Sequence, residues 1–140
     1  MEFRDLTQED YIQFLPLIQE FRPTIFTETE FRETLEQIRI RGKLIVAVHE
    51  GELVGCATVL YEPKFIFNRC IYAHVEDVCV KAAYRRRHIG QQLMAHIVQD
   101  AKRMNCYKIT LDCADSNIKF YESCHLEKRG NQMCQLLEHL

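Results

Sequence analysis

The stretch Val75–Val98, VEDVCVKAAYRRRHIGQQLMAHIV, constrains the fold more than any other part of the chain. Its hydrophobic period changes within a few residues. Val75, Val78 and Val80 lie among Glu76, Asp77 and Cys79, a β-branched pattern suited to a half-buried strand. Ile89, Leu93, Ile97 and Ala101 then recur at every fourth position with Met94 and Val98 beside them, the stripe of an amphipathic helix. A cationic turn, Tyr84 to Gly90, joins the two. A strand that feeds a basic loop and then a helix N-terminus is suited to hold a diphosphate. The first turn of a helix has N–H groups without partners, and its dipole is positive there. Three arginines add charge that does not titrate away. The competing reading is a solvated turn followed by an ordinary core helix.

A chain of 140 residues forms one domain, taken here as residues 1–140, with a core that needs no staples. The formal net charge of −2 argues against nucleic acid as a general partner. No apolar run approaches the length that spans a bilayer, and the start MEFRDLTQED lacks a signal-peptide pattern. A cytoplasmic protein with no membrane partner is therefore expected. The seven cysteines are odd in number and form no CxxC pair. They are expected to be reduced thiols packed as small hydrophobes. A zinc site is not expected, because tetrahedral sites usually show paired ligands at short spacing.

Read in order, Phe3–Leu6 is a first strand, and Thr7 with Glu9 and Asp10 opens a helix. Pro16 lies inside that helix and predicts a kink or an interruption. Thr27 with Glu30 resembles a capping box for a second helix, with Phe31, Leu35 and Ile38 on its core face and Gly42 as its stop. Leu44–His49 and Leu53–Tyr61 flank Glu50-Gly51 and predict a hairpin, with Gly55 marking a bulge or a close backbone approach. Pro63 opens a connecting segment, Lys64–Ala73, without a clear period. After the central strand and helix, Asn105 ends the helix in a left-handed conformation. Tyr107–Cys113 is a strand, Asn117–Cys124 a short helix and Gln132–Leu137 a last strand. The order β-α-α-β-β-β-α-β-α-β predicts an α/β fold, a mixed central sheet flanked by helices.

The run Arg85-Arg86-Arg87-His88-Ile89-Gly90 resembles the Arg/Gln-x-x-Gly-x-Gly/Ala signature of the GNAT superfamily of N-acetyltransferases, with His88 in place of the middle glycine. A non-glycine residue is tolerated there if its φ is negative. Three further segments, His74–Val78, Asn105–Cys113 and Asn117–Glu122, resemble the eukaryotic-type glucosamine-6-phosphate N-acetyltransferases. Lys64-Phe65-Ile66 and its spacing to Val78 fit the same family. Together these segments cover roughly residues 60 to 134.

The resemblance implies the GNAT acyl-CoA N-acyltransferase fold, acetyl-CoA as co-substrate, no metal and a homodimer whose sites use both chains. It implies two parallel strands splayed apart to admit the pantetheine arm. Val78, Cys79 and Val80 would offer backbone groups to the pantetheine amides. Arg85, Arg86, Arg87, His88, Ile89 and Gly90 would wrap the pyrophosphate. Asn117 and Tyr121 would sit near the thioester, with Tyr121 as general acid to the departing thiolate. On the substrate side it implies Lys64, Phe65, Ile66, Phe67, Glu76, Asp77, Val78, Tyr107, Lys108 and Asp112, the last near the reacting amine. Thr24 is the placement of the family's N-terminal substrate threonine.

The residues themselves add constraints. Asn117 and Tyr121 are four apart and share a helical face. Glu76 and Asp77 are adjacent, so regular pleating points them to opposite faces unless a bulge intervenes. The amine must lose a proton to a base, a carbonyl or a water chain before it attacks. Some family members hold the sugar phosphate with an arginine in the last strand. That position is Leu136 here, which leaves Lys64, Lys108 or Arg69 for the phosphate. The expected reaction is acetylation of glucosamine 6-phosphate, feeding UDP-N-acetylglucosamine synthesis. The rivals are a GNAT enzyme for another amine and a non-catalytic acyl-CoA-binding module. Direct transfer needs no cysteine acyl intermediate, and no motif sets a histidine beside Cys79 or Cys113. Cys79→Ser and Cys113→Ser should therefore each keep substantial turnover in a steady-state assay; loss of turnover with intact folding would point to a covalent route.

Overall fold

The structure, a computed structural model, describes residues 1–138. Five strands form one sheet in the order β1-β2-β3-β4-β5. They are β1 (Glu2–Asp5), β2 (Gly42–His49), β3 (Glu52–Pro63), β4 (Ile71–Val80) and β5 (Lys108–Thr110). The first four pair antiparallel, while β4 and β5 run parallel. The helices are α1 (Tyr11–Phe21), α2 (Glu28–Arg41), a short turn α3 (Ile66–Arg69), α4 (Ile89–Arg103) and α5 (Ile118–Ser123).

Each sheet face has its own core. On one face Ile45, Ala47, Val54, Ala57, Val59, Ala73 and Val75 pack against Ile89, Leu93, Met94, Ile97 and Ala101 of α4. Leu93 and Ile97 are 0% exposed, and burial of such a side chain stabilises by about 1.5–3 kcal/mol. On the other face Leu44, Val46, Val48, Leu53 and Cys56 pack against Phe14 and Leu17 of α1 and Phe31 and Leu35 of α2. Both helix starts follow their sequence signals. Thr27 Oγ1 accepts from the Glu30 N–H at 3.1 Å while Glu30 Oε1 accepts from the Thr27 N–H at 2.8 Å. The Thr7 N–H donates to Asp10 Oδ2 at 2.8 Å.

Two bulges shift the phase of the strands. Opposite Ala47 and Val48 the register skips Val54. Leu53 therefore faces α1 and α2, Val54 faces α4, and Cys56 faces α1 and α2 again. Opposite Ala57, β4 inserts an extra residue between Glu76 and Cys79, and Asp77 takes a left-handed φ of 53° there.

Several expectations change. α1 runs unbroken through Pro16. Pro16 and Ile12 are both exposed, so the Ile12 carbonyl freed by the missing N–H meets water. The connecting segment expected over Lys64–Ala73 is shorter than that. Phe67, Asn68 and Arg69 have positive φ, and β4 already starts at Ile71. The strand expected over Tyr107–Cys113 is only Lys108–Thr110. The last expected strand, Gln132–Leu137, does not form: Met133 and Leu136 are each 90% exposed. β5 is an edge of the sheet, and Gln132–Leu137 does not pair with it. Asn105 ends α4 with a φ of 57°, as expected. No helix among the described residues is long and apolar enough to cross a membrane.

Gly42 has a φ of 177°, which any residue adopts. Its constraint is space, since an added Cβ would collide with the carbonyl oxygen of Val59 on the paired strand. Gly42→Ala should lower unfolding stability by about 3 kcal/mol in urea titrations; a loss below about 1 kcal/mol would show that β2 and β3 can part there.

His88 is the opposite case. It caps α4 with a φ of 62°, so the negative φ expected at this glycine-like position is not adopted. Histidine is among the residues enriched in that region, and His88 Nδ1 lies 2.7 Å from Gln91 Oε1 in the first turn. His88→Gly should keep or raise Tm. His88→Val should lower stability by about 1–2 kcal/mol, because a β-branched residue clashes in a left-handed conformation. Equal Tm values for the two variants would contradict this backbone assignment.

Candidate active site

The parallel pair β4 and β5 matches only Tyr72 with Lys108, Ala73 with Ile109 and His74 with Thr110. β4 then runs on to Val80 without β5 beside it. The gap is part of a cleft of about 620 Å³. Leu17, Glu20 and Phe21 of α1 and the following Arg22 line it from one face; Ile89, Gly90, Phe120 and Tyr121 of α4 and α5 line it from the other. The cleft thus passes through the sheet beside Val78, Cys79 and Val80.

At one end lies the start of α4. Its Gln92 N–H is the first to bond back, to the His88 carbonyl at 3.0 Å. The earlier N–H groups of that turn have no intrahelical partner. Arg86 and His88 are both left-handed, which folds the loop over the helix end. Arg85, Arg86, His88, Ile89 and Gly90 line the cleft. Arg87 instead stacks its guanidinium 4.9 Å from the Tyr84 ring centroid. Tyr84 donates to Glu52 at 3.0 Å, Lys81 Nζ donates to the same carboxylate at 2.9 Å, and the Ala82 N–H donates to Glu20 at 2.6 Å. These bonds anchor the loop to β3 and α1. Gly90 is glycine for space: a Cβ would come within 2.8 Å of Phe120 Cζ, and Phe120 is what docks α5 onto α4.

Asn117 and Tyr121 are also in the lining. The Tyr121 phenol is pushed up to about 12, chiefly by burial and then by the charges of Cys113, Cys124 and Glu76. It therefore stays protonated across the physiological range and serves as a hydrogen-bond donor. Cys79 Sγ lies 3.3 Å from Cys56 Sγ across the β3–β4 pair. All seven cysteines are free thiols, but only Cys56 is buried, while Cys113 and Cys134 are exposed.

The substrate-side residues fall into three groups. Glu76 and Asp77 were expected on opposite faces. The bulge changes this. Ala73 and Val75 pack into the α4 core, so His74 and Glu76 face the other way. Asp77 then turns to that same side, where it lines a second cavity of about 420 Å³ with Thr24, Thr58 and Cys56. Burial raises the Asp77 carboxyl, and the charge of Glu76 adds to it.

The second group is a polar nook. His74 Nε2 is 2.6 Å from Glu76 Oε1, and His74 Nδ1 is 3.0 Å from Thr110 Oγ1. One ligand atom each of His74, Glu76 and Asp112 lies within 4.8 Å of the others. The third group is remote. The Lys64 and Lys108 ammoniums sit 4.8 and 4.6 Å from the Tyr72 ring centroid. Phe67 stacks on Tyr107 at 4.5 Å. Phe65 is 95% exposed, and Ile66, Phe67 and Tyr107 are also exposed. Six strand residues separate Tyr72 from Val78, roughly 20 Å at a strand's rise. None of this third group is in the cleft lining.

Sequence reasoning missed Glu20 of α1 and Arg22 just after it, because the cleft is built from elements far apart in the chain. It also missed His74 and Thr110. The spacing His74-x-Glu76 was a usable signal, since residues two apart share a strand face.

This architecture has close counterparts. A model described as "Acetyltransferase (GNAT) family" matches residues 4–126. Glucosamine 6-phosphate N-acetyltransferase 1 of Dictyostelium discoideum is 33% identical over 139 residues, covering 95% of this chain and 88% of that protein. The glucosamine 6-phosphate N-acetyltransferase of Schizosaccharomyces pombe is 37% identical over 98 residues, 68% of this chain and 88% of that one. The crystal structure of glucosamine-6-phosphate N-acetyltransferase from Arabidopsis thaliana superposes with a TM-score of 0.93 at 29% identity, covering 98% of both chains. With the split sheet, the basic helix entrance and matches of this extent, the chain belongs to the GNAT family of acetyltransferases.

Proposed function

We propose that this protein transfers the acetyl group of acetyl-CoA to the amine of glucosamine 6-phosphate, supplying N-acetylglucosamine 6-phosphate to UDP-N-acetylglucosamine synthesis. The observation that carries the reading is the likeness to enzymes of that name over nearly the whole chain, together with a cleft that passes through the sheet. The backbone of Val78, Cys79 and Val80, on the side that β5 leaves open, takes the pantetheine amides. The pyrophosphate lies on the α4 entrance, held by Arg85 and Arg86 and the first-turn N–H groups. In the ternary complex the amine nitrogen attacks the acetyl carbon, the C–S bond breaks and the electron pair leaves on sulfur.

Tyr121 donates a hydrogen bond to that sulfur. At about 12 its phenol is a weaker acid than a thiol of ordinary pKa near 8.5. It therefore stabilises the thiolate as charge develops and does not end up deprotonated itself. Tyr121→Phe should lower kcat by about a hundredfold with little change in acetyl-CoA affinity. Because its pKa is raised, the donor form persists to high pH, so Tyr121 should produce no basic limb in the kcat profile below about pH 11. A basic limb near pH 9 that vanishes in Tyr121→Phe would contradict this assignment.

The substrate phosphate is placed at Lys64 and Lys108, which take over from the arginine absent at Leu136. These lysines stand on the Tyr72 ring, outside the cleft lining of their own chain. The patch is apolar and exposed, and Gln132–Leu137 has no strand partner. Both features support a homodimer in which each site draws residues from two copies. Asp112 and Glu76 receive the amine, Thr24 and Asp77 line the neighbouring cavity, and the reaction needs no metal.

The test follows free-thiol release from acetyl-CoA with glucosamine 6-phosphate and, separately, with glucosamine, alongside light scattering. Fast release with the phosphate ester only, from a dimer, is the expected result. Equal rates with both sugars would remove the phosphate site. A fully active monomer would remove the shared site.

A further inference from the structure

We infer that Cys56 and Cys79 form a dithiol–disulfide switch: a hydroperoxide oxidises the pair to a cross-strand disulfide, and the disulfide weakens acetyl-CoA binding. The effect on acetyl-CoA rests on the function proposed above; the disulfide does not. The two residues are direct partners in the antiparallel pairing of β3 with β4. Their side chains lie on the same face of the sheet, at the core that α1 and α2 close. One Sγ stands 3.3 Å from the other. A disulfide needs Cα atoms about 4.4–6.8 Å apart, and directly opposed residues of antiparallel strands stand about 4.5–5.5 Å apart. The strand pairing alone therefore brings the two thiols within bonding reach.

The thiols differ in access and in acidity. Cys79 is partly exposed and lines the cleft, whereas Cys56 is buried. Their contact lowers the pKa of the Cys79 thiol and raises that of the Cys56 thiol, which burial raises further. The thiolate is the nucleophile, so Cys79 reacts first. Its sulfur attacks one peroxide oxygen, the O–O bond breaks and Cys79 becomes a sulfenic acid. The Cys56 sulfur then attacks the Cys79 sulfur. The S–S bond forms, the S–O bond breaks, and hydroxide leaves as water with the Cys56 proton. Two thiols have lost two electrons, and the hydroperoxide has been reduced to an alcohol and water, or to two waters where it is hydrogen peroxide. A dithiol reverses the step by exchange.

The new bond shortens the sulfur–sulfur distance to about 2.05 Å, and one strand must give. Cys56 is held on both sides, by Val46 of β2 and by Cys79. Cys79 is paired on one side only, because β5 reaches no further along β4 than His74. The bulge at Asp77 also interrupts the pairing with β3 just before Cys79. The displacement therefore falls on Cys79 and its neighbours Val78 and Val80, all in the cleft lining. These are the residues assigned to the pantetheine amides, and hydrogen bonds weaken steeply as they lengthen and bend. Bound acetyl-CoA in turn covers Cys79 and holds this end of β4, so ligand and oxidant oppose each other.

The experiment treats reduced wild type with hydrogen peroxide, caps the remaining thiols and maps the peptides by mass spectrometry. The expected product is a Cys56–Cys79 cross-link that dithiothreitol removes. Fragmentation separates Cys79 from Cys70, which shares its tryptic peptide. Acetyl-CoA binding is then measured by titration calorimetry on the oxidised and the re-reduced protein. Oxidation should raise the Kd about tenfold, and re-reduction should restore it. Saturating acetyl-CoA should slow the cross-linking. Cys56→Ala should form no cross-link and keep its Kd under the same treatment; an equal rise in Kd there would trace the effect to another thiol and overturn the proposal. Oxidation confined to other cysteines, such as the exposed Cys113 and Cys134, or a cross-link that leaves the Kd unchanged, would also overturn it. The wild-type map needs no variant and decides the matter if Cys56→Ala does not fold. Reduced wild type that binds no acetyl-CoA would remove the cofactor reading, while the mapped cross-link still decides the redox pair.

Discussion

Beyond His74 the backbone of β4 has no strand on its β5 side, although β4 continues to Val80. Backbone N–H and C=O groups must be paired or meet water, since an unsatisfied buried group costs on the order of 1–3 kcal/mol. A strand at the middle of a sheet normally meets this need with its neighbour. Here β5 ends at Thr110, and the stretch Val78–Val80 opens onto a cleft instead. Everything around the cleft serves to keep it open. The α1 helix covers one side, α4 and α5 cover the other, and Gly90 lets Phe120 close the joint between the last two.

The bulge at Asp77 belongs to the same arrangement. An extra residue in β4 reverses the pleat, so that Val78 and Val80 join the α4 core while Glu76 and Asp77 stay together on the opposite side. The left-handed Asp77 carries the strain of that turn. The bulge thereby lets one strand carry the apolar floor of the cleft and two carboxylates close to it.

Charge is divided in a way that the net value of −2 conceals. Cations gather where the loop folds over the start of α4, and their field adds to that of the helix dipole. Carboxylates gather one strand-length away, around His74. The cations line the cleft, while the carboxylates around His74 stand outside its lining. The Tyr72 patch is a third charged region, with its two lysines set on an aromatic surface that one chain leaves exposed.

Local signals were legible where a single element carries them. The stripe Ile89–Leu93–Ile97–Ala101 foretold α4 from its first residue, and Thr27 with Glu30 foretold a capping box that forms as expected. The order of elements and the cationic loop likewise follow from period and composition, because each depends only on neighbours a few residues away. Partners distant in the chain decided the rest. Nothing in Gln132–Leu137 says that no strand of its own chain will pair with it. Nothing near residue 88 reveals that its φ is positive, and the pleat of β4 cannot be counted through Asp77 without knowing that Ala57 faces the extra residue. The sequence by itself determined the long helices, the β2–β3 hairpin and the residue types of the site. Only the tertiary structure decided which of those residues meet, because pairing register and bulges depend on backbone contacts between segments that the chain brings together only on folding.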